Sequence, residues 1–299
     1  EEARKEIRAK EMRHFVFTLL TTIVLSSCSH KNEAIELTRS FFTSLSDSTY
    51  GSPTDFYPQY DSLQIEAKSD VVDIEESDIT EKNDSIIVRC MNNYTDAKGT
   101  FKQDSVVIFI TKDKDSEWYI YNSQGLITID KDIEWFGKKT GALGKKPMND
   151  LQLAEVLGKL YSLMREKYLE QYIELKTKVE ILDWSWETSY DGTAHGEARI
   201  KNKLPYSVSG IKYQVTYYDR QQNFMAEDDG SISKTLNPEE KYNFTFWNSN
   251  AKYPSRARLT LEFSDRVVYD LIKSKYYTGT EYQDYIKKSK KQDKSTKEI

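Results

Sequence analysis

The side chain best suited to covalent chemistry in this chain is the thiol of Cys28, which follows Leu25, Ser26 and Ser27. A thiolate is the strongest nucleophile among ordinary side chains, so this cysteine can accept a lipid group through a thioether bond. The small side chains of Ser26 and Ser27 leave room for a peptidase to reach the peptide bond before Cys28. These residue types therefore fit attachment of a lipid to the sulfur of Cys28 and cleavage of the peptide bond before it.

The segment before Cys28 has the composition of a secretory signal peptide. Arg13 and His14 give it a basic start, and residues 15–25 form an apolar run of eleven residues. That run is too short to cross a bilayer, which takes about 20 apolar residues, but it has the length of a signal peptide's apolar region. The stretch 25–28 (LSSC) resembles the lipobox of bacterial lipoproteins. The resemblance implies that a signal peptidase recognises Leu25, Ser26 and Ser27 and that Cys28 is lipidated.

Lipidation of Cys28 would decide where the protein resides. Two or three acyl chains anchor a protein stably, whereas one chain holds it only marginally. The abundance of Asp, Lys and Asn and the 21 Tyr resemble lipoproteins of the Bacteroidetes group. We therefore expect a lipid-anchored protein of the bacterial cell envelope, in the outer membrane. The alternative is a short buried helix over 12–28 with an ordinary buried cysteine.

The start of the sequence needs a separate interpretation. Residues 1–11 are highly charged and precede the signal-like segment, an unusual position for such a stretch. We expect Met12 to be the true start and exclude residues 1–27 from reasoning about the fold.

The composition and the motifs of the sequence argue against several classes of function. The net charge of −5 over 299 residues argues against nucleic-acid binding. Once Cys28 is lipidated, Cys90 is the remaining cysteine, so no internal disulfide forms. The sequence lacks a Gly-rich phosphate loop, HExxH, CxxC, G-x-S-x-G and a calcium loop. Its three His form no pair with zinc-ligand spacing. We predict no catalytic residue, no metal site and no cofactor.

Residues 28–137 have the pattern of an α+β domain. Apolar residues recur at helical spacing over 32–46, and alternating segments at 71–79, 85–91, 103–111 and 118–121 predict strands. A helix followed by antiparallel strands, with the helix covering one face, is an α+β arrangement. Cys90 shares one strand face with Ile86 and Val88, which predicts a buried and unreactive thiol.

The same domain resembles the cone-shaped fold of nuclear transport factor and its cystatin-like relatives. The resemblance rests on the pair at 41–42 (FF), on 56–58 (FYP) and on the closing segment 117–126 (EWYIYNSQGL). It implies a pocket, which some members use for catalysis with His or Asp. The domain holds no His after His30, so we do not expect a histidine acid–base site.

Residues 138–176 are predicted to be a loop followed by an amphipathic linking helix. Asn149 and Gln152 have the spacing of a capping box, and the helix that follows at 150–176 would be about 40 Å long. One interpretation is a helix that packs on the two domains or spaces them. The other is a self-associating or partner-binding coiled coil, although the apolar stripe does not keep a clean heptad.

Residues 177–272 alternate as antiparallel strands do, most clearly where Ile211, Tyr213, Val215 and Tyr217 share one face. Six or seven such strands separated by polar turns predict a β-sandwich. Residues 195–247 resemble the FxLYD type of immunoglobulin-like domain, through 200–206 (IKNKLPY), 210–219 (GIKYQVTYYD) and the turn at 237–240 (NPEE). Glu239 stands where that family has glycine. The resemblance implies an adhesive or spacer module without an enzymatic constellation.

Four aromatic residues of this domain are candidate ligand contacts: Trp184, Trp186, Tyr190 and Trp247. As core residues they would supply buried area, whereas on the surface they could stack on sugar rings. His195 is isolated in sequence and near glycines, so we expect it at the surface in a turn and not as a metal ligand.

The chain ends in a basic tail over 273–299, predicted to carry a short helix at 282–286. It is either a solvated segment or a contact for anionic lipid or glycan.

Together these patterns predict an α+β protein with a cone-like first domain, a long linking helix and an immunoglobulin-like β-sandwich. The predicted function is non-catalytic binding or assembly, with the membrane reached through the lipid anchor and an envelope protein or glycan as partner. The alternative is a lipoprotein that captures a glycan or small ligand. An exposed row of aromatic side chains would favour capture, and filled domains would favour scaffolding. An enzyme is the third class, and it would need carboxylates clustered in a cleft.

Overall fold

The computed structural model describes residues 30–63, 71–74, 78–82, 85–95 and 99–296. The predicted signal peptide, its recognition residues Leu25, Ser26 and Ser27 and the lipidation site Cys28 lie outside these ranges. The chain divides into two compact units. The first comprises the residues up to Asp130 with Lys145–Leu157, and the second comprises Lys131–Gly144 with the residues from Gly158 onward.

In the described ranges, the first unit contains α-helices and an antiparallel sheet. The sheet order is β1-β3-β4-β5, and β2 also pairs with β3. The elements are α1 (His30–Ser46), the 3-10 turns Ser48–Tyr50 and Tyr60–Leu63, α2 (Pro53–Phe56), β1 (Val71–Asp73), β2 (Ile79–Lys82), β3 (Ser85–Thr95), β4 (Phe101–Lys112) and β5 (Trp118–Gln124).

The core of the first unit lies between α1 and one face of this sheet. Alternation puts every second residue of β3 and β4 on that face, and the register pairs Val88 with Ile108 and Cys90 with Val106. Phe41 and Phe42 of α1 are also buried. The prediction of a buried Cys90 is confirmed, and burial raises the pKa of its thiol to about 12, so the thiol stays protonated.

The second unit combines helices with two three-stranded antiparallel sheets, in the orders β10-β7-β6 and β11-β8-β9. Its elements are α3 (Lys131–Thr140), the part of α4 (Asp150–Lys178) from Gly158 onward, β6 (Val179–Thr188), β7 (Ala194–Asn202), β8 (Ile211–Tyr218), β9 (Phe224–Ile232), β10 (Lys241–Asn248), β11 (Arg256–Phe263), α5 (Asp265–Ser274) and α6 (Glu281–Thr296). The predicted class, α+β with a C-terminal β-sandwich, is confirmed.

The sandwich interior is built by alternation on both sheets. Ile200 and Phe246 are buried on one sheet, and Val215, Tyr217 and Leu261 are buried on the other. The face predicted for β8 is therefore confirmed. Two sheets that pack apolar faces in this way are compatible with an immunoglobulin-like fold.

The start of α4 follows the sequence prediction. Gln152 donates its backbone N–H to Asn149 Oδ1 at 2.9 Å, and Asn149 donates its own to Gln152 Oε1 at 3.4 Å. These two bonds form the expected capping box. The helix reaches Lys178, two residues beyond the predicted end.

Other helices differ from the sequence prediction. Residues 265–274 form α5 inside the segment predicted as sandwich, because Val267, Val268, Leu271 and Ile272 bury one helical face. Helix α3 extends to Thr140, into the predicted loop. The tail helix runs over Glu281–Thr296 and not only over 282–286, and Tyr282 is buried. Within the ranges described, no helix is both long and apolar enough to span a membrane.

Candidate binding surface at one end of the sandwich

The four candidate aromatic residues divide into two pairs. Trp184 and Trp186 are half-buried and point into the sandwich, where their rings lie 6.3 Å from Phe246 and 6.1 Å from Tyr217, respectively. Tyr190 and Trp247 are instead exposed. The structure therefore brings the first pair together in the interior and places the second pair at the surface.

Strand pairing explains why the two tryptophans of β6 face inward. Trp184 pairs with Ala198 and Trp186 with Gly196, both on the inner face of β7. A side chain at Gly196 would not fit, because its Cβ would lie 2.6 Å from the Phe246 ring and 2.3 Å from the Ser185 carbonyl oxygen. Glycine at this position lets the aromatic rings fill the interior.

The exposed pair lies at the end of the sandwich where three connections meet. The β6–β7 turn (189–193) and the β8–β9 turn (219–223) close their hairpins there, and the β10–β11 connection (249–255) joins the two sheets at the same end. Four aromatic side chains are exposed at this end, and we call them the aromatic tip: Tyr190 (102%), Phe224 (63%), Trp247 (67%) and Tyr253 (67%).

Asn248 fixes the β10–β11 connection. Its side-chain oxygen accepts hydrogen bonds from the backbone N–H groups of Asn250 at 2.8 Å and Ala251 at 3.0 Å. Its amide nitrogen donates to the carbonyl oxygen of Glu227 on β9 at 2.8 Å. The side chain is buried, so these bonds hold the connection and link the two sheets next to Trp247.

The β10–β11 connection is also bonded to the β6–β7 turn. The Tyr253 hydroxyl donates to the carbonyl oxygen of Tyr190 at 2.9 Å, and Tyr253 N–H donates to that of Gly192 at 3.2 Å. Tyr253 adopts a φ of 53°, a left-handed conformation that is uncommon for a bulky residue. Such conformations persist where surrounding bonds impose them. These bonds fix the β10–β11 connection to the β6–β7 turn, which carries Tyr190.

Trp247 belongs to a row of three residues across the outer face of one sheet. It pairs with His195 on β7, which pairs with Glu187 on β6. His195 Nε2 lies 2.9 Å from Glu187 Oε1, and His195 Nδ1 lies 3.1 Å from Ser189 Oγ. Both ring nitrogens have partners, so the imidazole is held in one orientation beside Trp247. His195 lies at the surface with a partly exposed side chain, but it is on a strand and not in the predicted turn.

Ser189, His195 and Glu187 are hydrogen-bonded in the order hydroxyl, imidazole, carboxylate. This is the order of the groups in a catalytic triad. The side chains of His195 and Glu187 are 42% and 80% exposed. Water screens their electrostatic interaction at this exposure. The two hydrogen bonds hold the imidazole in one orientation.

Buried aromatic and polar side chains lie in the interior of the first unit. Phe41 and Tyr57 are fully buried there, and Tyr57 accepts a hydrogen bond from Ser123 Oγ at 3.4 Å. Asp150, at the start of α4, is also buried and accepts from three consecutive backbone N–H groups, those of Gly125, Leu126 and Ile127. These polar groups have protein partners and hold the unit together.

Asp150, Ser189 and Glu187 were not among the residues predicted from the sequence to be functional. In the sequence, Asp150 can be recognised as an acidic residue at the first position of a helix. Its role could not be predicted, because the backbone groups that bond to it come from a distant segment. No group of three or more His, Cys, Asp or Glu in the described ranges is arranged to hold a metal ion.

Comparison with known proteins gives little similarity. No protein-family model matches the chain, and no curated protein does. Among solved structures, the chain is similar to a crystal structure of a DUF1425 family member from Shewanella sp. pv-4. That similarity has 20% identity and a TM-score of 0.23, and it covers 29% of this chain and 78% of the other.

Proposed function

We propose that this protein is a lipid-anchored protein of the bacterial cell envelope that binds a partner or ligand, without catalysis, through the aromatic tip. The observation that carries the proposal is the exposure of Tyr190, Phe224, Trp247 and Tyr253 at one end of the sandwich. Side chains left exposed gain little of the roughly 1.5–3 kcal/mol that burial of a large apolar side chain supplies. A cluster of exposed aromatic side chains is typical of a binding surface.

The anchoring part of the proposal rests on the sequence. The basic start, the apolar run and the small residues before Cys28 resemble a lipoprotein signal, and the overall composition resembles lipoproteins of the Bacteroidetes group. Ser29 alone separates Cys28 from the helix described from His30. An acylated Cys28 would therefore hold the first unit close to the membrane surface, in the outer membrane. The FxLYD-like segment supports a role for the sandwich as a module that makes contacts.

The non-catalytic part rests on the chemistry of the surface. The groups beside Trp247 are an imidazole with both nitrogens bonded and an exposed carboxylate, and they lie in water. Such groups can accept and donate hydrogen bonds to a bound molecule. They lack the dry surroundings that acid–base catalysis uses.

Sedimentation with isolated envelope material tests the binding role. The full chain carrying Cys28→Ala, which cannot be held by a lipid, is mixed with outer-membrane and cell-wall fractions of the bacterium that encodes it. We expect saturable binding that Trp247→Ala or Tyr190→Ala weakens at least about tenfold, as loss of a central aromatic contact does. Tyr276→Ala is the matched control, since Tyr276 is exposed elsewhere on the second unit. Equal binding by the tip variants and the control would contradict the proposal.

A further inference from the structure

We propose that the ligand of the aromatic tip is an uncharged carbohydrate, whose sugar ring stacks on Trp247 and whose hydroxyl groups bond to His195 and Glu187. This inference rests on the proposed function and names the ligand class for the same surface. It is carried by the outer face of the sheet β10-β7-β6, where the pairing of strands places an exposed indole in register with a fixed imidazole and a carboxylate.

The part of the outer face nearest the tip consists of three rows that the strand register defines, and a fourth row, Lys241–Lys201–Glu180, follows them. One residue of each row comes from β10, one from β7 and one from β6. The three rows are Trp247–His195–Glu187, Thr245–Glu197–Ser185 and Asn243–Arg199–Asp183.

Trp247 is the one large apolar side chain among these nine residues. A protein-binding surface of ordinary size needs about 800 Å² per partner, with a core from which charged residues are depleted. The other aromatic side chains of the tip lie on β9 and on the connections, outside these rows. Within the rows Trp247 is surrounded by carboxylates, hydroxyls and an amide, so this face lacks such a core. A sugar ring does fit this face, because a pyranose presents C–H groups on its face and hydroxyl groups around its edge.

The polar groups beside Trp247 are held in place before a ligand arrives. His195 is bonded at 2.9 Å to Glu187 and at 3.1 Å to Ser189, so its ring has one orientation. Glu187 uses one carboxylate oxygen for this bond and has a second oxygen to accept from a sugar hydroxyl. Groups that are already ordered lose little conformational entropy on binding. This order favours recognition of hydroxyl groups in a defined position relative to the indole.

The dimensions of the face suit a short oligosaccharide. Successive rows on one face of a strand are about 6.8 Å apart and neighbouring strands about 4.8 Å apart, so the three rows extend about 14 Å along the strands. Arg199 Nε donates to Asp183 Oδ2 at 3.0 Å in the third row from the tip. That pair places charged hydrogen-bonding groups within reach of a second or third sugar unit.

Charge favours an uncharged glycan over an anionic polymer. The two rows nearest the tip hold the carboxylates of Glu187 and Glu197 and no permanent cation, whereas Arg199 and Asp183 lie in the third row and Lys201 and Lys241 in the fourth. Arg199 is already paired with Asp183. A phosphate-rich or uronate-rich polymer would meet like charges at short range.

An indole NMR titration tests the inference. The full chain with Cys28→Ala is titrated, at millimolar concentration, with hexasaccharides of glucose in α and β linkage, N-acetylglucosamine, mannose and xylose. The chain has 5 Trp, so each indole N–H gives its own signal. We expect at least one oligosaccharide to shift the Trp247 signal, while the signals of the inward-facing Trp184 and Trp186 stay in place.

Variants assign the contact. Trp247→Ala is expected to lower the association constant at least tenfold, and Trp247→Tyr to retain part of it because the aromatic face remains. Glu187→Gln is expected to weaken binding with little effect on the Trp247 stacking contact. Tyr276→Ala is expected to bind as the parent does. An oligosaccharide that binds equally to Trp247→Ala would overturn the inference.

The two proposals fail separately. If no hexasaccharide shifts the Trp247 signal while tip-dependent sedimentation with envelope material persists, the carbohydrate assignment is wrong and the binding role stands. If sedimentation does not depend on the tip and no oligosaccharide binds, both proposals are wrong.

Discussion

The carboxylate of Asp150, at the first residue of α4, accepts a hydrogen bond from the backbone N–H of Leu126 at 3.0 Å. The N–H groups of Gly125 and Ile127 donate to the same carboxylate at 3.2 Å each. Gly125 has a φ of 93°, and a Cβ there would lie 2.5 Å from the Ser105 carbonyl oxygen, so glycine is needed to bring these donors together. The chain after β5 is thereby fixed to the start of α4 within the first unit.

We expect Asp150→Ala to destabilise the first unit by about 2–3 kcal/mol, because it leaves three backbone donors without their buried acceptor. Urea unfolding followed at the indole signal of Trp118, which belongs to the first unit, measures the effect. Asp61→Ala removes an exposed carboxylate from the same unit and is expected to change little. Equal unfolding midpoints for the two variants would show that the Asp150 bonds contribute nothing.

A second prediction concerns Tyr172, which donates its hydroxyl hydrogen to Glu262. Lys176 Nζ donates to the other carboxylate oxygen of Glu262 at 2.7 Å. Burial, followed by the hydrogen bond and charge of Glu262, raises the pKa of Tyr172 to about 12. Near pH 11 the folded protein therefore retains a proton that the unfolded chain has lost.

The sign of the pH dependence follows from this difference in protonation. The contribution of Tyr172 to stability is complete below about pH 10 and is lost as the pH rises toward about pH 12. We expect Tyr172→Phe to lower the free energy of unfolding of the second unit by about 1 kcal/mol at neutral pH. We also expect a shallower loss of stability between about pH 10 and about pH 12. Urea unfolding at a series of alkaline pH values measures both, and Tyr276→Phe should follow the parent protein.

A third prediction concerns the turn at 237–240, where Glu239 stands in place of the glycine expected from FxLYD domains. Glu239 has a φ of 64°, the left-handed region that favours glycine, and its N–H donates to the carbonyl oxygen of Asn202 at 2.8 Å. A non-glycine residue is strained in this conformation. We expect Glu239→Gly to raise the melting temperature of the second unit.

The control for this turn must separate strain from charge, because Glu239 also forms an exposed ion pair with Lys201. Glu239→Gln loses the ion pair and keeps the strain, so it should melt at or slightly below the temperature of the parent. Calorimetry on the three proteins gives the comparison. A glycine variant no more stable than the glutamine variant would rule out strain in the turn.

Much of the sandwich could be predicted from local sequence, including the orientation of Trp247. Phe244 and Phe246 are buried, and strict alternation places Trp247 on the opposite face of β10. Trp184 and Trp186 are two residues apart, so they had to share a face. The same alternation of side chains along β7 places His195 on the outer face.

Contacts between residues far apart in the chain could not be predicted from local sequence. The row Trp247–His195–Glu187 exists because β7 pairs with β6 on one side and with β10, more than forty residues away, on the other. No local pattern fixes that register. The three donors that surround Asp150 come from a segment more than twenty residues earlier, for the same reason. Helix α5 was missed because its short apolar face directly follows a strand with a similar composition.

The most direct test of the account is metabolic labelling with a palmitate analogue in cells that express the full chain, compared with the Cys28→Ala variant. The account predicts label on the wild-type protein and none on the variant, with the labelled protein in the outer-membrane fraction. Absence of label from both proteins, at equal expression, would contradict the lipid anchor. The outer-membrane location proposed for the protein would then lose its basis, whereas binding by the aromatic tip is tested separately by sedimentation.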